Sequence, residues 1–208
     1  DQSTYGQYRQ IFVLIQTAVN ILPFSVPFSA FYFFPREPER RRQVVLNIVL
    51  YHFVVSVIGF SLFLIHPRAI VWILGSEELV PYARMVGGVL FLYVFSSFLE
   101  TVATAYQEVR ASTVFIICAN LSKSVLLLGG ALLAPTVQSL VTSALLQGLL
   151  QSVVLLWYLS SRFPRFWTDF DFSFLRTQLG YALPLGVSGL LVVLQRELHF
   201  YYVSNYVG

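Results

Sequence analysis

Six apolar runs of spanning length follow one another along the chain, and nothing constrains its fold more than that succession. They cover about Tyr8 to Phe34, Val44 to Ile65, Val80 to Tyr106, Ser112 to Leu133, Val137 to Leu159 and Leu175 to Val203. Each holds about 20 to 29 residues, enough to cross a hydrocarbon layer of about 30 Å as a helix with some tilt. No alternation of period two over about ten residues recurs between turns, which argues against a β-barrel. With 57% hydrophobic and 11% charged residues, the composition lies far from the soluble norm, in which about a quarter of residues are charged. The expected fold class is therefore an all-α integral membrane protein, a polytopic helical bundle.

The connections orient the bundle. Arg36, Arg40, Arg41 and Arg42 follow the first run, Arg110 the third, and Arg162, Arg165 and Arg176 the fifth. The alternate loops carry Arg68 beside Glu77 and Glu78, and then the uncharged Pro135 and Thr136. Short loops rich in Lys and Arg stay in the cytoplasm, so the first run enters from outside and the sixth runs outward. The net charge of only +3, gathered in these loops, points to membrane orientation and away from nucleic-acid binding. Pro67 to Leu79 reads as a short outer interfacial helix with Trp72 at headgroup depth. Phe163 to Phe174 mixes Arg165 and Asp169 with Phe166, Trp167, Phe170 and Phe172, and reads as an amphipathic strap on the cytoplasmic surface or as an ordinary aromatic loop. Asp171 or Ser173 is placed to cap the sixth helix. The lone Cys118 excludes an internal disulfide.

Several polar residues lie within the apolar runs. Arg9, Gln16, Asn20, Pro23 and Pro27 share one side of the first helix, and such a stripe turns away from lipid, toward a cavity or a neighbouring helix. Each proline removes an amide donor and crowds the preceding turn, so Pro23 and Pro27, and Pro184 in the sixth run, mark expected kinks. Ser139, Ser143, Gln147 and Gln151 follow at steps of four on the fifth helix; they suit either sugar hydroxyls or interhelical hydrogen bonds. Tyr93, Ser97, Glu100 and Thr104 share a side of the third. Lys123 is the deepest charge, about 17 Å into the fourth helix. Glu100 differs from it by about 8 Å in depth, and side chains lean toward the N-terminus of their own helix, which narrows that gap from both ends. A buried Glu100–Lys123 ion pair is expected, with Lys123 as a cation lining a cavity the alternative.

Arg196 and Glu197 fall within the sixth run, which continues past them, and lie either within a cavity or at the headgroups beside aromatic residues. His52 and His199 are of a type that can carry a proton, but neither has a defined partner in the sequence, so packing is the default reading and proton transfer the alternative. Gly87-Gly88, Gly129-Gly130 and the Ala182-xxx-Gly186 spacing suit close helix contact. No HExxH, Gly-Lys phosphate loop, CxxC or triad pattern occurs, so neither a metal nor a nucleotide cofactor is expected.

The segment Tyr181-Ala-Leu-Pro-Leu-Gly186, with Gln195-Arg-Glu-Leu-His-Phe-Tyr-Tyr-Val-Ser-Asn-Tyr-Val-Gly208, resembles the first helix of the second half of bacterial polysaccharide or O-antigen flippases. These are relatives of the multidrug and toxin extrusion transporters. Ser3-Thr-Tyr-Gly-Gln-Tyr8 is similar to their segment just after the first helix. The resemblance implies a fragment of a two-lobed transporter of 12 to 14 helices: residues 1–162 the rest of the first lobe, 163–174 an inter-lobe linker, and 175–208 the first helix of the second lobe. It implies a flippase of the bacterial inner membrane that moves an undecaprenyl-pyrophosphate-linked oligosaccharide by alternating access, alongside other polysaccharide-assembly membrane proteins. A cavity for such a substrate needs cations for the pyrophosphate and hydrogen-bonding groups for the sugars. Arg9, Lys123 and Arg196 are the cationic candidates, with Gln16, Asn20 and Gln147 as polar ones. Export of drugs or small solutes on the same fold is the alternative within the superfamily. A membrane-embedded glycan polymerase or ligase is another class; it would need a catalytic residue in a loop, and the outer loops offer only His66 and Arg68 of that kind.

Overall fold

Why two of the spans break is the feature of the fold that matters most for the site. The computed structural model describes residues 2–168 and 170–207, of which 2–5, 193, 194 and 196–207 are described as helical backbone alone. Among these residues run α1 (Gln2–Ile21), α2 (Ser29–Arg36), α3 (Arg41–Ile65), α4 (Ala69–Leu74), α5 (Ala83–Ser96), α6 (Leu99–Ala105), α7 (Val109–Leu133), α8 (Val137–Arg162) and α9 (Phe172–Val207). Short 3₁₀ turns occupy Val26–Phe28, Pro38–Arg40, Glu77–Tyr82 and Phe166–Thr168. Among the described residues, five stretches are long and apolar enough to cross a membrane: Gly6–Arg36, Pro38–Ile65, Glu77–Ala105, Val109–Leu133 and Val137–Arg162. The sixth expected run lies in α9, a helix of 36 residues. Large apolar side chains point outward, Ile58 at 64%, Val125 at 66% and Leu133 at 89% exposure. That surface suits hydrocarbon and not water, and the chain is a polytopic helical membrane protein.

The first span opens where its prolines fall. α1 ends at Ile21, and Phe24 and Ser25 take left-handed φ values of 46° and 58°, a conformation that costs a residue with a side chain about 1–3 kcal/mol. The chain recovers through Val26 N–H to Pro23 O and Phe28 N–H to Ser25 O, both 3.0 Å. The turn Val26–Phe28 then packs against α6 and α9. Pro184 acts otherwise: α9 passes it with no break in its helical assignment.

The third span, expected as one helix, also breaks, between Ser96 and Leu99. The Ser96 hydroxyl donates to Leu92 O at 2.7 Å and the Ser97 hydroxyl to Val94 O at 2.8 Å. Two consecutive serines bonding to backbone carbonyls compete with the helical ladder, and the Ser97 amide has closed instead on Val94 O, three residues back.

Two apolar clusters stack along the bundle. One lies toward the arginine-rich loops, with Phe34, Val44, Phe98, Leu159 and Phe166 at its centre. The other, toward the opposite end, gathers around Ile11, Ile70, Leu79, Val86 and Val141. Close approach between helices uses glycines: a Cβ on Gly87 would lie 3.0 Å from Phe63 Cβ, and one on Gly148 2.6 Å from Leu92 Cβ. The short helix expected after the second span is α4, with Trp72 exposed and a left-handed Gly75 at its end. The expected strap is only partly a surface feature. Phe163 and Phe166 are buried, Phe163 against the Phe34 and Tyr106 rings, while Trp167, Phe170 and Phe172 stay exposed. Asp171 does cap α9, its Oδ1 accepting from Ser173 N–H at 2.9 Å and Phe174 N–H at 3.2 Å.

A buried polar network fastens α9 to the bundle. Gln178, fully buried, donates through Nε2 to the Ser29 hydroxyl at 2.8 Å and to Val44 O at 3.3 Å. Its Oε1 accepts from Asn47 Nδ2 at 3.0 Å, and Ser29 donates onward to Val26 O at 2.6 Å. Every partner is buried, so the network satisfies most of the groups that would otherwise be costly in the interior, with Asn47 Oδ1 left without a partner among the described residues.

Candidate functional site

The two broken spans meet α7 and α8 around a cavity of about 520 Å³. α1 contributes Gln16 and Val19; the α5–α6 break contributes Tyr93, Ser96, Ser97 and Glu100. From α7 come Phe115, Asn120, Ser122 and Lys123, and from α8 Leu150, Gln151 and Val154. The cavity exists because α7 is peripheral. It packs on α6 and α8, and of its residues only Ser112 and Gly130 are buried.

The polar groups of this wall differ in how far they are already engaged. Asn120 Nδ2 donates to Ile116 O at 2.9 Å and the Ser122 hydroxyl to Cys118 O at 2.7 Å, each one turn back along α7. The Asn120 carbonyl oxygen remains as an acceptor. Gln151 Oε1 lies 3.5 Å from the Ser96 hydroxyl, a weak contact beside that hydroxyl's bond to Leu92. Tyr93 lines the cavity and carries a buried hydroxyl oxygen with no hydrogen-bond partner among the described residues. A buried unpaired hydroxyl is costly.

The two charges come together but do not pair. Glu100 and Lys123 line the same cavity, yet they do not form an ion pair among the described residues. Lys123 instead points its ammonium at the face of Phe12 on α1, 4.0 Å from the ring centre. The expected ion pair is thus open, because the aromatic ring holds the cation on the α1 side through its quadrupole.

The remaining candidates divide. Gln16 lines the cavity and its Nε2 reaches Asn20 Oδ1 at 3.5 Å. Asn20 faces a second recess, of about 290 Å³, formed with Phe24, Ser25, Phe28, Gly186 and Gly189 where the opened first span meets α9. Arg9 is exposed on α1 and is not part of the main cavity's wall. Gln147 is fully buried and donates to Ala119 O at 3.0 Å; it packs α8 against α7 and does not reach the cavity. Ser139 does the same at the far end, bonding Gly130 O at 2.8 Å. The serine and glutamine stripe of α8 is therefore mostly interhelical, and Gln151 alone of the four reaches the cavity. The side chain of Arg196 lies outside the described residues, as do those of Glu197 and His199.

Sequence reasoning singled out Tyr93, Ser97 and Glu100 on one face, and all three line the cavity, but it missed Asn120 and Gln178. Their signal was present in the polar residues of the fourth run and in Gln178 near the start of the sixth, but nothing in the spacing said which faced a cavity. His52, read as packing, is fully buried; its Nδ1 lies 2.9 Å from Ile48 O and its ring 4.6 Å from that of Phe98. Since a carbonyl only accepts, Nδ1 carries the proton.

Chemically the cavity offers one ammonium, one carboxylate, three amides and several hydroxyls within an apolar frame. That set binds polyhydroxyl and anionic groups through hydrogen bonds. Among the described residues, no three side chains of the metal-ligating types cluster. No curated protein and no solved structure gives a significant match to this chain. The family model described as polysaccharide biosynthesis protein matches residues 14–208, nearly its whole length, and the chain belongs to that family.

Proposed function

We propose that this protein moves a lipid-linked oligosaccharide across the membrane by alternating access, as a transporter and not an enzyme. The observation that carries this reading is Lys123. It stands about 21 Å from one end of α7 and about 15 Å from the other, in a cavity with polar groups in its wall and, among the described residues, outside any ion pair. A cation at such depth costs at least about 2.5–3.5 kcal/mol on insertion scales, and a cargo bearing phosphate offsets that cost whenever it is bound.

Broken helices that line a polar cavity are a recurrent transporter device, and here two of them, α1–α2 and α5–α6, flank the same space. The amides of Gln16, Asn120 and Gln151 and the hydroxyl of Tyr93 would meet sugar hydroxyls, and Lys123 the diphosphate. The basic loops would face the cytoplasm of a bacterial inner membrane. In this reading residues 1–162 belong to one lobe, 163–174 connect it to a second, and 175–208 open that second lobe, with undecaprenyl-pyrophosphate-linked sugars as the cargo.

Depleting the full-length protein in its own cell tests the reading. Surface glycan should fall while lipid-linked repeat units accumulate on the cytoplasmic face. Unchanged glycan with raised sensitivity to organic cations would favour drug export instead, a role that Glu100, Tyr93 and Phe115 in one cavity would serve.

A further inference from the structure

A recess of about 510 Å³ lies at the basic end of the α7–α8 pair, its wall including Arg110, Val114, Phe115, Trp157, Tyr158 and Arg162. Phe115 also lines the main cavity. On α7, Ala111, Phe115, Cys118 and Ser122 follow at steps of three or four, and on α8 so do Arg162, Tyr158, Val154 and Gln151. Each series therefore occupies one helix face, and the two spaces are successive stations along a single seam.

The charges of the outer station are unbalanced. Glu108 meets Arg162 Nε at 2.9 Å and accepts from the Tyr158 hydroxyl at 3.0 Å. Among the described residues, that arrangement leaves the two terminal nitrogens of Arg162 available. Arg110 is exposed and has no partner among the described residues. Immediately deeper, Val114, Val153 and Trp157 are 55%, 64% and 65% exposed, an apolar wall open to acyl chains. Guanidinium donors at headgroup level above such a wall match a lipid whose head is a phosphate.

We propose that this recess is the docking site where the diphosphate head of the lipid-linked substrate is held before it passes along the α7–α8 seam, past Phe115, to Lys123. The assignment rests on the transport reading above. An ordinary anionic phospholipid would satisfy the same donors, but only a transported lipid makes use of Phe115, which the recess shares with the cavity and whose ring stands 5.3 Å from that of Tyr158 between the two.

The test uses the full-length protein in nanodiscs of phosphatidylcholine, titrated with a long-chain polyprenyl diphosphate and, in a parallel arm, with phosphatidylglycerol, bound lipid being counted by native mass spectrometry. Arg110→Gln should weaken polyprenyl diphosphate binding about tenfold, the scale of one lost charged hydrogen bond. Arg110→Lys should recover part of that loss, and phosphatidylglycerol binding should be weak and insensitive to either change. Because Arg110 is exposed and unpartnered, these variants should fold. Undiminished binding by Arg110→Gln, with loss in Lys123→Gln, would overturn the docking site and leave the cavity standing. An equal loss of phosphatidylglycerol would make the recess a general lipid site and also overturn it. If the unaltered protein bound no polyprenyl diphosphate at all, the transport reading would fall as well.

Discussion

The Lys123 ammonium lies 4.0 Å from the centre of the Phe12 ring, so a residue of α1 holds in place the only cation that the cavity wall has among the described residues. Such a contact is worth about 0.5–2 kcal/mol depending on solvation. It orients the charge without neutralising it. Lys123→Gln should therefore cut glycan export about tenfold or more, the scale of one lost charge-assisted contact to an anion. Lys123→Arg should retain most of it. Phe12→Leu keeps the apolar bulk but loses the ring face, and should give an intermediate rate. Rates are read as surface glycan restored in depleted cells by each full-length variant; a normal rate with Lys123→Gln would remove the cation from the mechanism.

Gln178 makes the second test. Gln178→Leu leaves Asn47 Nδ2 without its acceptor and takes from Ser29 its donor, in a layer where all three residues are buried. Each orphaned buried group costs about 1–3 kcal/mol. Thermal stability in detergent, followed by size-exclusion recovery after heating, should drop clearly for Gln178→Leu and for Asn47→Leu. The double variant should lose less than the sum, because both single changes break one hydrogen bond. Strict additivity would mean that the two side chains do not share it.

What could be read from the sequence, and what could not, follows from the range of the interactions. The spans depended on local hydropathy and length, so their positions were legible to within a few residues. Pro23 and Pro27 gave away the opening of the first span because proline's missing amide is a local fact. The break at Ser96–Leu99 was hidden, since serines inside apolar helices more often leave the helix intact. Lys123 and Glu100 were read as deep charges and line one cavity, but the absence of a pair between them was not legible. Whether Lys123 turns to Glu100 or to Phe12 depends on the rotation of α7 against α1, elements about a hundred residues apart in sequence. The same holds for Gln147 and Gln151, four residues apart on one stripe, of which one is sealed against α7 and the other reaches the cavity.

That division yields a third test. Gln147 is buried, and its amide donates to Ala119 O at 3.0 Å while its own Oε1 has no partner among the described residues. Gln147→Leu exchanges one interhelical hydrogen bond, about 0.6 kcal/mol within a membrane protein, for relief of the unpaired oxygen. It should be close to neutral in stability and in glycan export. Gln147→Ala leaves a void and should cost more in stability, by about 1–2 kcal/mol or more. Gln151→Leu reverses the pattern, with stability held and export reduced. Export lost on Gln147→Leu at unchanged folded yield would return Gln147 to the cargo path.

Glycines supply the last test, because the same substitution meets three different surroundings in one protein. A Cβ on Gly186 would run into the Phe24 ring and come within 2.7 Å of the Phe24 carbonyl oxygen. The ring can turn, but that carbonyl belongs to a residue already held at a φ of 46° and has little freedom to move. Gly186→Ala should therefore push α9 off the opened first span, at a cost of about 1–3 kcal/mol. Adding Phe24→Ala should recover only part, since the backbone clash stays. Gly189→Ala meets the Ser25 hydroxyl at 3.3 Å, the tip of a rotatable side chain, and should be tolerated. Gly129→Ala meets nothing within 4 Å and replaces a glycine in the interior of a helix, a change worth up to about 0.5–1 kcal/mol in favour of folding. The expected order of thermal stability in detergent is Gly129→Ala at or above the unaltered protein, then Gly189→Ala, then Gly186→Ala well below. If Gly186→Ala fell level with Gly189→Ala, α9 would not be seated against Phe24, and the recess holding Asn20 would lose its far wall.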